Sequence, residues 1–180
     1  MEFKVVELEQ EPVDYCVDLS PGVVDLGDEA AQVGLLHADG RAEALHEHRG
    51  PTEVVTDIRL QGRFAGYFQI PCARCINPVH HALTADFDLL FRPLGVDKAG
   101  AERAISTQET EIGYYEKGSL QLEDVLREQV LLALPARTLC QPDCKGLCPV
   151  CGHNRNEVSC DCVSRQPDPR WAGLAGLDRI

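Results

Sequence analysis

The 180-residue sequence has no long hydrophobic segment. Its longest apolar run, Val130 to Pro135, is far shorter than the roughly 20 residues that a helix needs to cross a bilayer. The first residues, MEFKVVELEQEP, alternate charged and apolar side chains, and they lack the basic start and apolar core of a signal peptide. We therefore expect a soluble protein of the cytosol, with no membrane as a partner.

The sequence is also poor in positive charge. It has 17 Lys and Arg against 29 Asp and Glu, which gives a formal net charge of −12. Residues 1–135 contain 11 basic and 24 acidic residues, whereas residues 136–180 contain 6 and 5. Because attraction to phosphates dominates nucleic-acid affinity, this balance argues against a free-standing RNA binder, and we expect no DNA partner. It favours a basic protein partner, or only local contact with RNA.

Sequence motifs of common catalytic sites are missing as well. The chain has no G-x-S-x-G, no H-E-x-x-H and no glycine-rich loop that cradles phosphates. We therefore expect no enzyme activity. A metal-dependent enzyme stays an alternative, but it needs a metal with an open coordination position.

Cysteine is what the sequence has in abundance, with nine residues of this type. In a reducing cytosol clustered cysteines usually bind metal, and an odd number does not suit a disulfide framework. Cys16 stands alone, and we expect a core or half-buried thiol there. The other eight are enough for two tetrahedral zinc sites. They are Cys72, Cys75, Cys140, Cys144, Cys148, Cys151, Cys160 and Cys162.

The spacing of these cysteines indicates how they divide between two structural zinc ions. Two cysteines with two residues between them hold one metal from a tight turn, and C-x2-C-x8-C-x-C forms one self-contained candidate. That site is Cys148/Cys151/Cys160/Cys162, and the remaining set is Cys72/Cys75/Cys140/Cys144. Two alternatives stay open: an exchange of Cys140/Cys144 with Cys148/Cys151, or a ligand from His80 or His81 beside Cys72/Cys75. We expect His153 to be a surface residue.

Hydrophobic periodicity predicts an α+β fold: an antiparallel β-meander with one main helix and a C-terminal cysteine-rich zinc-binding module. Alternating patterns predict strands from Phe3 onward and on both sides of Cys72/Cys75, with hairpin turns at Asp39-Gly40 and Gln61-Gly62. A short strand is expected over Ile112–Tyr115. The i, i+3, i+4 spacing of apolar residues predicts the helix at about 120–134.

These elements suggest two domains. Residues 1–135 form an acidic β-rich body that ends with the main helix, which Pro135 terminates. Residues 136–180 form a zinc-knuckle module and a C-terminal tail. Because this second region has too few apolar residues for a core, we expect metal binding to supply its folding energy.

Several motifs follow one another in order along the chain. They are C-x-R-C at Cys72–Cys75, R-E-Q-x-L-L-A-L-P at Arg127–Pro135, C-x3-C-K-G-L-C-P-x-C-G-x-N-x-N at Cys140–Asn156, a C-x-C at Cys160–Cys162 and D-P-R at Asp168–Arg170. Together they resemble the YceD family, the large ribosomal RNA subunit accumulation proteins, over roughly residues 50–175. The resemblance implies a non-enzymatic role in the synthesis, processing or stability of 23S ribosomal RNA, and hence in large-subunit assembly.

The resemblance implies a ribosomal partner, either a ribosomal RNA precursor or a basic large-subunit ribosomal protein. Four basic residues near the metal module are candidates for contact with RNA phosphates or with that protein: Lys145, Arg155, Arg165 and Arg170. The alternative is that they are ordinary solvated surface. The dense cysteines also suggest a second function of another class, a cytosolic zinc-thiol redox sensor.

Overall fold

The computed structural model describes residues 1–48, 54–96 and 112–162, together with residue 170. The chain divides into two compact units. The first comprises Met1–Ile70 and His80–Ala136, and the second comprises Pro71–Val79 and Arg137–Ile180. The second unit therefore takes its residues from two separate stretches of the sequence.

The described residues form seven strands and two helices. In chain order these are β1 (Glu2–Lys4), α1 (Val5–Leu8), β2 (Val13–Leu19), β3 (Ala31–His48), β4 (Val54–Pro71), β5 (Pro78–Pro93), β6 (Ile112–Tyr115), β7 (Ser119–Gln121) and α2 (Leu122–Ala133). Strands β2 to β6 lie in sequence order in a five-stranded sheet, and β1 pairs with β7 in a small sheet. The β2–β3 and β3–β4 pairs are antiparallel.

The sheet differs from a pure antiparallel meander at its last strand, because β6 runs parallel to β5. Alternation of apolar and polar residues identifies β6 as a strand but contains no information on the direction of its neighbour. Among the described residues, a second, short helix accompanies the predicted main helix. Residues Val5–Leu8, predicted as part of a strand that begins at Phe3, form the short helix α1 with Leu8 buried. Strand propensity is weak, and the tertiary environment overrides it here.

Both predicted glycine turns are wrong. Gly40 and Gly62 lie inside β3 and β4, directly opposite each other in the antiparallel pair. A Cβ atom at either position would collide with the hydroxyl of Tyr15, which donates a hydrogen bond to the Gln61 carbonyl at 3.3 Å. These glycines therefore leave space for the Tyr15 hydroxyl beside two strands. The local sequence alone cannot distinguish a glycine that gives such space from a glycine in a turn.

The predicted main helix is present as α2, and its apolar stripe faces the core of the first unit. Leu122, Val125, Leu126 and Val130 are buried in a cluster with strand residues such as Phe64 and Phe68. Burial of such side chains contributes about 1.5–3 kcal/mol each. In the part of the chain that the structure describes, neither helix is long and apolar enough to cross a membrane.

Candidate metal centres

Eight cysteines of the second unit gather into two groups of four. The first group is Cys72, Cys75, Cys140 and Cys144, and the second group is Cys148, Cys151, Cys160 and Cys162. Within each group all sulfur atoms lie within 4.8 Å of one another. This division is the one that the spacing predicts. The exchange of cysteine pairs does not occur, and His80 and His81 belong to neither group.

The first group begins with a tight turn between β4 and β5. The Cys72 N–H donates to the Asn77 carbonyl at 2.9 Å, and the Ile76 N–H donates to the Cys72 carbonyl at 2.9 Å. Ile76, directly after the second cysteine of the turn, has a φ of 66°. This left-handed conformation is uncommon for a β-branched residue. The turn brings the sulfurs of Cys72 and Cys75 within 4.8 Å of each other.

The second group begins with the same turn. The Cys148 N–H donates to the His153 carbonyl at 2.8 Å, and the Gly152 N–H donates to the Cys148 carbonyl at 2.9 Å. Gly152 occupies the position equivalent to Ile76 and has a φ of 75°. Both groups are therefore built on one type of cysteine knuckle turn, although only one of the two has glycine at its left-handed position.

The sulfur positions fit a tetrahedral metal. Sulfurs that each lie 2.3 Å from a central zinc are about 3.8 Å apart. In the first group, Cys72 Sγ lies 3.9 Å from Cys144 Sγ, and Cys75 Sγ lies 3.5 Å from Cys140 Sγ. A donor set of four thiolates favours zinc, and it leaves no open position for water or substrate. The residues present therefore fit a closed, structural zinc site.

Hydrogen bonds separate the pKa values of thiols in the first group. Burial acts to raise the pKa of Cys72, but backbone N–H groups, including those of Arg74 and Cys75, outweigh it and lower this pKa to about 6. The pKa of Cys140 rises to about 12, chiefly because its thiol is hydrogen-bonded to the Cys75 sulfur. Thiols this close cannot all ionise without a cation to balance their charge, and a divalent metal supplies that charge.

The pKa values of the thiols in the second group are separated in the same way, although fewer of these cysteines are buried. The backbone N–H and the ring of His153 lower the pKa of Cys151 to about 6, and the hydrogen bond to Cys151 raises the pKa of Cys162 to about 12. His153 is exposed, as expected, but its Nδ1 lies 3.2 Å from Cys151 Sγ. Cys148 is the only buried member of this group, whereas three of the four in the first group are buried.

Comparison with known proteins identifies the family. The family model described as large ribosomal RNA subunit accumulation protein YceD matches residues 60–178, which include all eight grouped cysteines. The chain belongs to the YceD family. No solved structure matches it significantly.

Relatives of this YceD-family chain occur in mycobacteria and plants. Uncharacterised proteins of Mycobacterium tuberculosis and Mycobacterium bovis are 33% identical over 154 residues, which cover 81% of this chain and 63% of theirs. A Zea mays protein named large ribosomal RNA subunit accumulation protein YCED homolog 1, chloroplastic, is 28% identical over 167 residues, covering 76% of this chain and 56% of that protein. The chain thus spans a little under two thirds of the mycobacterial proteins.

Two residues support the first group without being ligands, and the spacing of the cysteines does not indicate them. Arg74 Nη1 donates to the Cys144 carbonyl at 2.7 Å, and the Arg74 carbonyl accepts from the Leu147 N–H at 3.0 Å. Asn156 Nδ2 donates to Cys144 Sγ at 3.2 Å. Both residues occur in the motifs that resemble the YceD family, but spacing rules concern ligands and carry no information about such supporting contacts.

Among the four basic candidates, Lys145 and Arg155 are exposed on neighbouring loops of the second unit. The Arg155 N–H donates to the carbonyl of Gly146, the residue after Lys145, at 2.9 Å. Arg170 is exposed, and Arg165 lies outside the described residues. The structure therefore brings two of the four together.

Cys16 is exposed rather than part of the core. Its neighbour in β2, Tyr15, is buried and faces the core. Because successive side chains of a strand point to opposite faces, Cys16 points away from that core. It belongs to neither cysteine group.

Proposed function

We propose that this chain acts in the accumulation of large-subunit ribosomal RNA, through its synthesis, processing or stability, and so in assembly of the large ribosomal subunit. The family match over residues 60–178 carries the proposal. The maize and Arabidopsis relatives are named for large ribosomal RNA subunit accumulation, which supports it. We propose a non-enzymatic role, since both cysteine groups are closed four-ligand sets.

Zinc in both groups is part of the proposal. In the second unit, the buried apolar cluster among the described residues consists of Cys72, Cys75 and Cys144 with a few partly buried neighbours. So small a cluster contributes little hydrophobic free energy. Structural zinc contributes roughly 10–16 kcal/mol of apparent binding free energy in small peptides, and this is also folding free energy. The metal therefore replaces the missing core.

The direct partner that we propose is a basic large-subunit ribosomal protein. The chain has a net charge of −12, and each zinc with four thiolates adds about −2. Lys145 and Arg155 offer local contact to phosphates, but the surrounding charge opposes RNA binding. Crosslinking in cells, followed by RNase treatment, tests this choice: a protein crosslink that survives RNase supports it, and crosslinks only to ribosomal RNA precursor contradict it.

The test of the function is depletion of the protein in its own cells. Loss of large ribosomal RNA and of large subunits in sucrose gradients is the expected result, with rescue by the wild-type chain. Cys16→Ser, which removes a cysteine outside both groups, should rescue fully, whereas Cys72→Ser should not. Unchanged ribosomal RNA levels after depletion would refute the proposed function.

Zinc content and sulfur coordination test the metal proposal separately. We expect two zinc ions per chain, each with only sulfur neighbours in X-ray absorption spectra. A zinc with an oxygen neighbour would favour the metal-dependent enzyme instead. Zinc that leaves under mild peroxide with a large structural change would favour the redox sensor.

A further inference from the structure

The side-chain amide of Asn156 makes a complete set of hydrogen bonds between the two cysteine groups. Its Nδ2 donates to Cys144 Sγ at 3.2 Å and to Asn154 Oδ1 at 2.8 Å. Its Oδ1 accepts from the Lys145 N–H at 2.8 Å and from Gln141 Nε2 at 3.2 Å. An amide has two donor hydrogens and two acceptor lone pairs, so its capacity is full. Because a backbone N–H can only donate, Lys145 fixes which end of the amide faces the sulfur.

Asn156 belongs to the loop of residues 152–159, which joins the two cysteine pairs of the second group. The Asn156 N–H donates to Asn154 Oδ1 at 3.1 Å, and the Glu157 N–H donates to the Asn154 carbonyl at 3.1 Å. Both ends of the loop are ligand positions, Cys151 and Cys160. A metal in the second group would therefore hold both ends of this loop. In the middle of the loop, Asn156 donates to Cys144, a member of the first group.

An N–H bond to a thiolate affects how well that thiolate binds its metal. It compensates part of the sulfur charge and fixes the position of the sulfur, and loss of such a supporting contact typically lowers metal affinity about 10- to 100-fold. Removal of the Asn156 amide also leaves the Lys145 N–H without its present partner. The first group thus depends on a residue that the second group orders.

We propose that Asn156 couples the two metal centres, positioning the Cys144 thiolate for the metal of the first group only while metal orders the loop of the second group. The coupling is reciprocal, because two linked binding equilibria must affect each other equally. This inference rests on the proposed zinc occupancy, but it is independent of the proposed role in ribosomal RNA accumulation.

Zinc transfer from the full-length, zinc-loaded protein to a chromogenic chelator tests the coupling. The Cys160→Ser variant lacks one ligand of the second group, so the release phase whose amplitude it loses belongs to the second group and the remaining phase to the first. Asn156→Ala should speed first-group release about tenfold or more. Asn156→Asp keeps the shape of the side chain but replaces the amide donor with a carboxylate oxygen, so it should also speed first-group release. If Asn156→Ala does not fold, Asn156→Asp gives the decisive rate.

A matched control is Glu157→Ala. The Glu157 carboxylate accepts from Asn77 Nδ2 at 3.3 Å and from Asn154 Nδ2 at 2.7 Å, so it also anchors the loop, but without a bond to a cysteine sulfur. First-group release should therefore change far less in this variant than in Asn156→Ala. Equal effects of the two variants would show that loop anchoring in general, and not the bond to Cys144, controls the first group.

The coupling itself is tested by combining variants. Cys160→Ser should speed first-group release in the wild-type background and add nothing in the Asn156→Asp background. The inference is overturned if Cys160→Ser speeds first-group release equally in the wild-type and Asn156→Asp backgrounds, or if release is unchanged in both Asn156 variants. Either result leaves the proposal of two bound zinc ions standing. A wild-type protein that binds no zinc overturns it together with the metal proposal.

Discussion

The left-handed residue of each cysteine knuckle turn allows a reciprocal test of how backbone strain affects metal binding. Ile76 and Gly152 occupy equivalent positions, with φ of 66° and 75°. We predict that Ile76→Gly tightens zinc binding by the first group and that Gly152→Ala weakens binding by the second. Ile76→Gly removes the free-energy cost of a Cβ atom in the left-handed conformation, and Gly152→Ala introduces that cost.

The magnitude follows from the backbone. A residue with a Cβ atom pays about 1–2 kcal/mol in the left-handed region, and the greater freedom of glycine in the unfolded chain offsets about 0.5–1 kcal/mol. The net effect is about 0.5–1 kcal/mol in each direction. Ile76 is 65% exposed, so its removal loses little packing. A Cβ at Gly152 meets no atom within 4 Å, so no collision adds to the conformational cost.

Zinc affinity is the quantity to measure, because ordering a knuckle and binding its metal are one process. The expected change is about 2- to 5-fold tighter for Ile76→Gly and about 2- to 5-fold weaker for Gly152→Ala. Competition with a chelator of known affinity measures both sites. The control is Gly118→Ala in the first unit, where φ is 72° and the space is also open. It should lower the stability of that unit without changing zinc affinity.

The reasoning is refuted if Ile76→Gly leaves the first site unchanged or weaker while Gly152→Ala leaves the second unchanged. Such a result would mean that the left-handed conformation carries no conformational cost in either knuckle. A change in only one of the two would show that the knuckles, despite equal hydrogen bonds, differ in how strongly their surroundings impose the turn.

Three further predictions concern reactivity, pH and the sheet. Iodoacetamide should modify Cys151 faster than Cys72 in zinc-loaded protein, because Cys151 is exposed and Cys72 is buried. Mass spectrometry of the peptides measures both rates, and equal rates would refute this prediction. Zinc affinity should fall with falling pH already in the neutral range, because Cys140 and Cys162, whose pKa values are raised to about 12, must release protons to bind the metal; it should fall more steeply below about pH 6, where Cys72 and Cys151 also take up protons, and a pH-independent affinity would contradict this. Arg92→Leu should lower the free energy of unfolding, measured by urea denaturation, by about 3–5 kcal/mol, since it removes the partner 2.9 Å from buried Asp57; Arg63→Leu, at an exposed pair, should cost far less, and similar costs would refute the argument.

Sequence patterns predict this structure correctly where the chemistry is local. Two residues between cysteines, and eight between the pairs, favour the second group that the structure shows, because a short chain can bring these sulfurs to one metal in few ways. The first group followed by elimination. Helix α2 was predictable for a similar reason, since its apolar residues recur every three or four positions and Pro135 ends it.

The glycines of the sheet show where local signals failed. Asp39-Gly40 is a frequent hairpin turn, yet Gly40 lies within an 18-residue strand. The reason is Tyr15, which comes from a different strand and needs the space beside two glycines. Likewise, the parallel direction of β6 depends on the path of the chain, which alternation does not encode.

The sequence by itself determined the ligand type and the family, because these depend on residue identity and short spacing, and it predicted the grouping of the eight cysteines while leaving two alternatives that the structure excluded. Only the tertiary structure decided that Asn156, twelve residues beyond Cys144, donates to its sulfur, and that Ile76 adopts the conformation usually left to glycine. Both features arise from segments that meet in space. Asn156 and Ile76 are not metal ligands, so the spacing of ligands along the chain does not indicate either residue.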